Sequence, residues 1–81
     1  MRPTVDTLTE RDVLAAFQGI APDLAQACLD AGEEPRVHYG DLADAIYNHL
    51  AVAGDTMAAF KKIKRIIRKS LCHGGGTWIR L

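Results

Sequence analysis

The sequence predicts a mainly α-helical domain of about four helices that closes with a small β-hairpin. Apolar residues recur at intervals of three and four in four separate segments, the period of helices that bury one face. Glycine or proline interrupts these segments at Gly19, Pro22, Gly32 and Gly54. After the glycine triplet Gly74–Gly76, the chain ends in Thr-Trp-Ile-Arg-Leu, a run that favours a strand. A chain of 81 residues is long enough for one domain.

The first two helices are expected over about 8–18 and 22–31. Thr7 and Glu10 have the spacing of a capping box, in which the threonine hydroxyl and the glutamate carboxylate satisfy two free amides. Gly19 is a stop signal for the first helix. A proline begins the second helix, where its missing amide proton would have no partner.

A short strand and a third helix should follow. Arg36–Tyr39 contains β-prone residues, and Asp41 is placed to cap a helix over about 41–53. That helix has one apolar stripe, on which the most common role for His49 is that of a buried histidine. The stripe consists of Leu42, Ala45, Ile46, His49, Leu50 and Ala53.

The fourth helix, over about 56–71, has the strongest pattern in the chain. Asp55 or Thr56 is expected to cap it. Its apolar arc consists of Phe60, Ile63, Ile66, Ile67 and Leu71. Its basic arc consists of Lys61, Lys62, Lys64, Arg65, Arg68 and Lys69, without an acidic residue on the same helix.

The formal net charge of zero hides a division along the chain. Residues 1–55 contain three bases and ten acids, a charge of −7, whereas residues 56–81 contain seven bases and no acid, a charge of +7. This asymmetry indicates an electrostatic partner, and a basic stripe is the typical footprint of phosphate binding. Attraction between the two halves within the fold is the competing explanation.

Several function classes find little support in the sequence. No apolar run approaches the roughly 20 residues of a membrane span, and the N-terminus lacks the apolar segment of a signal peptide. The default location is therefore the cytoplasm, with no membrane partner. No pair of carboxylates and no nucleophile with a base suggests catalysis, so we expect a non-enzymatic protein without a cofactor. Gly74–Gly76 matches no phosphate-binding loop and is interpreted as a turn.

The cysteines and histidines do not have the spacing of a metal site, so no metal is predicted. Cys28 is expected to be a buried thiol, and pairing with Cys72 remains open. Trp78 is expected in the core, although an aromatic residue near Arg80 could instead stack on a base or contact a partner.

Residues 36–81 resemble the winged helix-turn-helix family in the order of their elements. The quoted pattern is a strand at Arg36–Tyr39, a helix opening Tyr39-Gly40-Asp41-Leu42, a turn at Ala53-Gly54-Asp55, the basic helix, and a hairpin ending Gly76-Thr77-Trp78-Ile79-Arg80-Leu81. The sequence adds a helix over about 22–31 to that pattern. The family places the second helix of the pair in the major groove of DNA.

The resemblance implies which residues would face DNA. On the helix these are Thr56, Ala58, Lys61, Lys62, Arg65 and Lys69, and the wing would be Gly74–Gly76 with Thr77 and Arg80 nearby. From the basic arc itself we expect phosphate contacts by Lys62, Lys64, Arg68 and Lys69. Lys61 and Arg65 could reach guanine edges.

Two functional hypotheses follow from the sequence. The first is a small DNA-binding module, of the transcriptional or the phage or plasmid regulator kind, which binds double-stranded DNA and could act as a homodimer. The alternative is a protein-interaction module, an inhibitor or adaptor that docks on a larger protein through its charged faces.

Overall fold

The computed structural model describes residues 2–72 and 76–81. Along these residues the elements are α1 (Glu10–Asp30), β1 (Arg36–His38), α2 (Tyr39–Leu50), α3 (Thr56–Ser70) and β2 (Trp78–Arg80). The prediction of a mainly helical protein with a small antiparallel pair of strands is confirmed. The described residues form three helices rather than the four predicted.

The first difference is that α1 is continuous where two helices were predicted. It runs through Gly19 and Pro22 for 21 residues. A proline inside a helix removes one backbone hydrogen bond and costs about 3 kcal/mol. The apolar stripe, however, crosses the proline: Val13 is buried, and Ile20 and Leu24 pack against the core on either side of it. Burial of this one stripe offsets the cost of placing Pro22 inside the helix. The prediction of separate helices over about 8–18 and 22–31 is therefore wrong.

The capping box of α1 lies two residues later than predicted. Thr9 is the N-cap: its hydroxyl accepts from the Asp12 amide, and the Asp12 carboxylate accepts from the Thr9 amide. Thr7 instead bonds Thr4, whose amide donates to the Thr7 hydroxyl at 2.8 Å. Thr9 and Asp12 repeat the spacing of a capping box, with aspartate in place of glutamate.

Both ends of α2 differ from the prediction. The imidazole of His38, not Asp41, caps the helix, and its Nδ1 accepts from the Gly40 amide at 3.2 Å. The helix ends at Leu50 because Ala51 adopts the left-handed conformation, with φ of 51°. This reversal directs Val52 into the core, where its side chain is 6% exposed.

The prediction for α3 is confirmed. The helix begins at Thr56, one residue after Asp55, whose carboxylate accepts from the amides of Met57 and Ala58. It ends at Ser70, one residue before the predicted end. Every member of the predicted apolar arc is buried or packs against the core: Phe60, Ile63, Ile66, Ile67 and Leu71.

The two strands come from distant parts of the chain. β2 pairs antiparallel with β1, in a register that sets Val37 opposite Ile79. The prediction that β2 belongs to a local hairpin over about 71–81 is therefore wrong. Among the described residues between α3 and β2, none is in a strand. Of the predicted tip Gly74–Gly76, only Gly76 is among the described residues.

The core lies between the three helices and the inner face of the strand pair. Its largest fully buried side chains are Val13 of α1, Leu42 and Ile46 of α2, and Ile63 and Ile67 of α3. Ile79 closes it from β2, with 3% of its surface exposed.

Two aromatic predictions for the core are wrong. His49 is exposed in the last turn of α2, next to the end of the helix at Leu50. Trp78 is 52% exposed, because the alternation of the strand turns its neighbour Ile79 inward.

The thiols of Cys28 and Cys72 are free and half-buried. The Cys28 thiol donates to the carbonyl oxygen of Arg36 at 3.5 Å, linking α1 to β1. In the part of the chain that the structure describes, no three histidine, cysteine or carboxylate side chains gather as metal ligands would. Over the same residues, none of the helices has the length and apolar character needed to cross a membrane.

Candidate nucleic-acid interface

The basic residues of α3 form its outer face because the apolar ones are drawn into the core. Successive residues turn by about 100°, so Lys61 and Arg65 point roughly opposite to the buried Ile63. Both side chains are exposed, as are Arg68 and Lys69 farther along the helix. The α3 helix is 15 residues long, or about 22 Å, and could lie in a DNA groove along much of its length.

Four of the cations line one open groove, which we call the basic groove. It has a volume of about 400 Å³ and is bounded by Tyr39, Lys61, Lys64, Arg65 and Arg68. The wall that is not part of α3 is Tyr39, the first residue of α2. The sequence alone did not identify Tyr39 as a functional residue, because its place beside α3 depends on the packing of the two helices.

Two of these cations lie over the Tyr39 ring. Lys64 Nζ lies 5.6 Å from its centre, and the guanidinium carbon of Arg68 lies 5.3 Å away. Lys64 Nζ is also 5.1 Å from the centre of the Phe60 ring. Contacts of cations with aromatic faces hold the two charged groups near the groove without neutralising them.

Carboxylates do not occupy the basic groove. Within residues 2–72 and 76–81, none of the hydrogen bonds made by the basic side chains of α3 goes to an acid. Glu10 of α1 does reach α3, but its carboxylate accepts from the Ser70 hydroxyl at 2.6 Å. Among the described residues, no hydrogen-bonded ion pair therefore joins the basic side chains of α3 to the acidic half of the sequence.

Lys62 differs from the other cations of the basic arc. It is half-buried on the edge of α3 that faces the N-terminal segment, where Nζ donates to the carbonyl oxygen of Val5 at 2.6 Å. Its charge is used to hold residues separated from it by more than half the chain. Lys69 is exposed but lies outside the set of residues that lines the basic groove.

The first turn of α3 supplies two further predicted contacts. Thr56 is exposed, and its hydroxyl lies 3.2 Å from the Tyr47 hydroxyl, which ties the start of α3 to α2. Ala58 is half-buried. Gly54, with φ of 99°, allows the tight turn that brings these residues beside α2.

The last two predicted residues lie on or beside the strand pair. Thr77 is exposed, and its carbonyl oxygen accepts from the Tyr39 amide at 2.8 Å. Arg80 is exposed on β2, directly opposite Arg36 of β1. Arg36 belongs to the acidic half of the sequence, so the charge pattern alone did not associate it with the basic residues.

Comparison of the chain with protein-family models, with curated proteins and with solved structures finds no match.

Proposed function

We propose that this protein is a small non-enzymatic DNA-binding module, a transcriptional or phage- or plasmid-type regulator, that contacts double-stranded DNA through α3. The basic groove is the observation that supports this proposal. It gathers four cations on one exposed surface, and none of them makes a hydrogen bond to a carboxylate of the described chain. Such a surface attracts phosphates and gains affinity from the release of their counterions.

In the proposed complex α3 lies in the major groove. Lys61 and Arg65, at the centre of its outer face, are placed to meet base edges, where Arg and Lys favour guanine. Lys64, Arg68 and Lys69 flank them and would contact phosphates. Because α3 has no Asn or Gln, the expected readout is limited to guanine.

The order of the elements favours kinship with the winged helix-turn-helix family. A strand precedes two helices joined by a short turn, and a later strand pairs with the first. The continuous α1 removes the additional helix by which the sequence pattern departed from that family. Within this proposal, a homodimer would present two copies of α3 to a two-fold symmetric site.

A charge reversal on α3, compared with an equal reversal on α1, tests the proposal. Arg65→Glu replaces an exposed cation at the centre of the outer face, and Arg11→Glu replaces an exposed cation of α1. We expect Arg65→Glu to weaken binding to a duplex at least tenfold, and Arg11→Glu to weaken it less than threefold. Equal losses for the two variants would contradict the assignment to α3.

The acidic half gives a second candidate, a protein-interaction module. Leu29 of α1 is 56% exposed, and it stands beside Asp30 and near Glu33 and Glu34. An exposed apolar side chain among acids suits docking on a basic surface of a larger protein. The double variant Asp30→Lys and Glu33→Lys, which reverses two exposed charges beside Leu29, would impair such docking while leaving DNA binding by α3 in place.

A further inference from the structure

The outer face of the strand pair carries a second group of cations and aromatic rings, most of them exposed. Cross-strand pairing sets Arg36 opposite Arg80 and His38 opposite Trp78. Because side chains alternate along a strand, these four share one face, while Val37 and Ile79 pack inward. We call these four residues the strand platform.

The platform has a flat apolar surface in contact with a cation. The guanidinium carbon of Arg36 lies 4.5 Å from the centre of the Trp78 ring, and the His38 ring meets the same indole edge-on at 5.4 Å. An open groove of about 480 Å³ runs beside them, with Arg80 on its wall. Like charges directly opposite each other destabilise a sheet, so the pairing of Arg36 with Arg80 is not explained by folding stability.

The platform and the basic groove are continuous. The rings of His38 and Tyr39 lie 4.8 Å apart, and Tyr39 is the residue on which Arg68 of α3 rests. A chain of cation and aromatic contacts therefore runs from α3, through Tyr39 and His38, to Trp78 and Arg36. A nucleic acid that occupies the basic groove would have this platform beside it.

We propose that the strand platform binds an unpaired nucleotide of the DNA held by α3, with its base stacked on Trp78. The inference rests on the proposed function, and it names the form of DNA preferred: a duplex that ends in, or is interrupted by, single-stranded residues. Stacking on an aromatic ring tolerates any base, because every base has a flat π-face. The guanidinium of Arg36 lies over part of the indole, so the base would stack on the part of the ring that Arg36 leaves exposed.

Two acidic residues favour a base, rather than a phosphate, as the group that would stack on the ring. Two open grooves are lined by both Arg36 and Trp78; Glu34 lines both of these grooves, and Glu33 lines one of them. Their negative charges oppose a phosphate at this point but do not oppose a neutral base. A duplex alone would leave the exposed indole without a stacking partner.

Trp78 is the single tryptophan of the chain, so its fluorescence reports directly on this site. The protein should be titrated with a blunt duplex, with the same duplex bearing a short 3′ or 5′ overhang, and with an overhang of abasic residues. We expect the overhang to quench Trp78 and to bind about tenfold more tightly than the blunt duplex. The abasic overhang, which has the phosphates without the bases, should neither quench nor improve affinity.

A pair of variants checks the assignment to Trp78. Trp78→Leu should bring the affinity ratio of overhang to blunt duplex from about ten to about one. Gln18→Ala, which replaces an exposed side chain on α1, should keep the full ratio. If Trp78→Leu impairs folding, the quenching of the unmodified protein still decides the question.

The outcomes separate this inference from the proposed function. Equal binding of blunt and overhang duplexes, or full quenching by the abasic overhang, would overturn the platform as a base-stacking site while leaving the role of α3 intact. Quenching by a single strand without any duplex binding would support the platform and contradict the assignment of duplex binding to α3.

Discussion

The guanidinium carbon of Arg68 lies 5.3 Å from the centre of the Tyr39 ring. This contact joins the last turns of α3 to the first residue of α2, and it forms one side of the basic groove. The ring restricts the conformations of the Arg68 side chain and leaves its charge exposed. Tyr39 is therefore a residue that positions the cations of the groove.

Tyr39→Leu should weaken duplex binding about two- to fivefold, the loss expected from one or two exposed cation–aromatic contacts. Leucine keeps apolar contact with the core, so stability should change little. Tyr39→Phe keeps the ring and should bind like the unmodified protein. Fluorescence anisotropy with a labelled duplex measures all three proteins, and an unchanged affinity of Tyr39→Leu would show that Arg68 and Lys64 do not need the ring.

Asp55→Ala should lower the free energy of unfolding by about 1 kcal/mol, because the carboxylate caps two amides at the start of α3. Asp41→Ala is the matched control. Asp41 is an exposed residue in the first turn of α2, which His38 caps, so its loss should cost at most about 0.5 kcal/mol. Urea unfolding followed by circular dichroism gives both values. A larger loss for Asp41→Ala would indicate that Asp41 caps α2 after all.

Pro22→Ala distinguishes one continuous α1 from two helices. Within a continuous helix, alanine restores the missing backbone hydrogen bond and should raise the free energy of unfolding by about 1–3 kcal/mol. At the first turn of a separate helix, proline is favourable and its replacement would be neutral or destabilising. Thermal or urea unfolding decides between these signs. A decrease in stability would support the helix boundary that the local sequence signals suggested.

Local patterns were enough to predict the element that carries the proposed function. The apolar arc of α3, its cap at Asp55 and its outer row of cations depend only on residues within that helix or directly next to it. The sequence also placed β1 correctly to within one residue, because the partly β-prone segment Arg36–His38 directly follows Pro35.

What the sequence did not predict depends on distant packing. Continuity of α1 is decided by burial of the stripe around Pro22, which outweighs a local stop signal. The strand opposite Trp78 is β1, which precedes it by about 40 residues, so neither the exposure of the indole nor its contact with Arg36 follows from the local pattern. The bond from Lys62 to Val5 likewise joins residues whose proximity only the fold creates.

Salt dependence of duplex binding tests the central claim most directly. A labelled random-sequence duplex of about 25 base pairs should be titrated with the protein across about 50–250 mM salt and followed by anisotropy. Four cations in the basic groove predict micromolar binding at low salt and a slope of log affinity against log salt of about −3 to −4. Absence of binding at about 50 mM salt would contradict the claim, because this electrostatic attraction requires no particular base sequence.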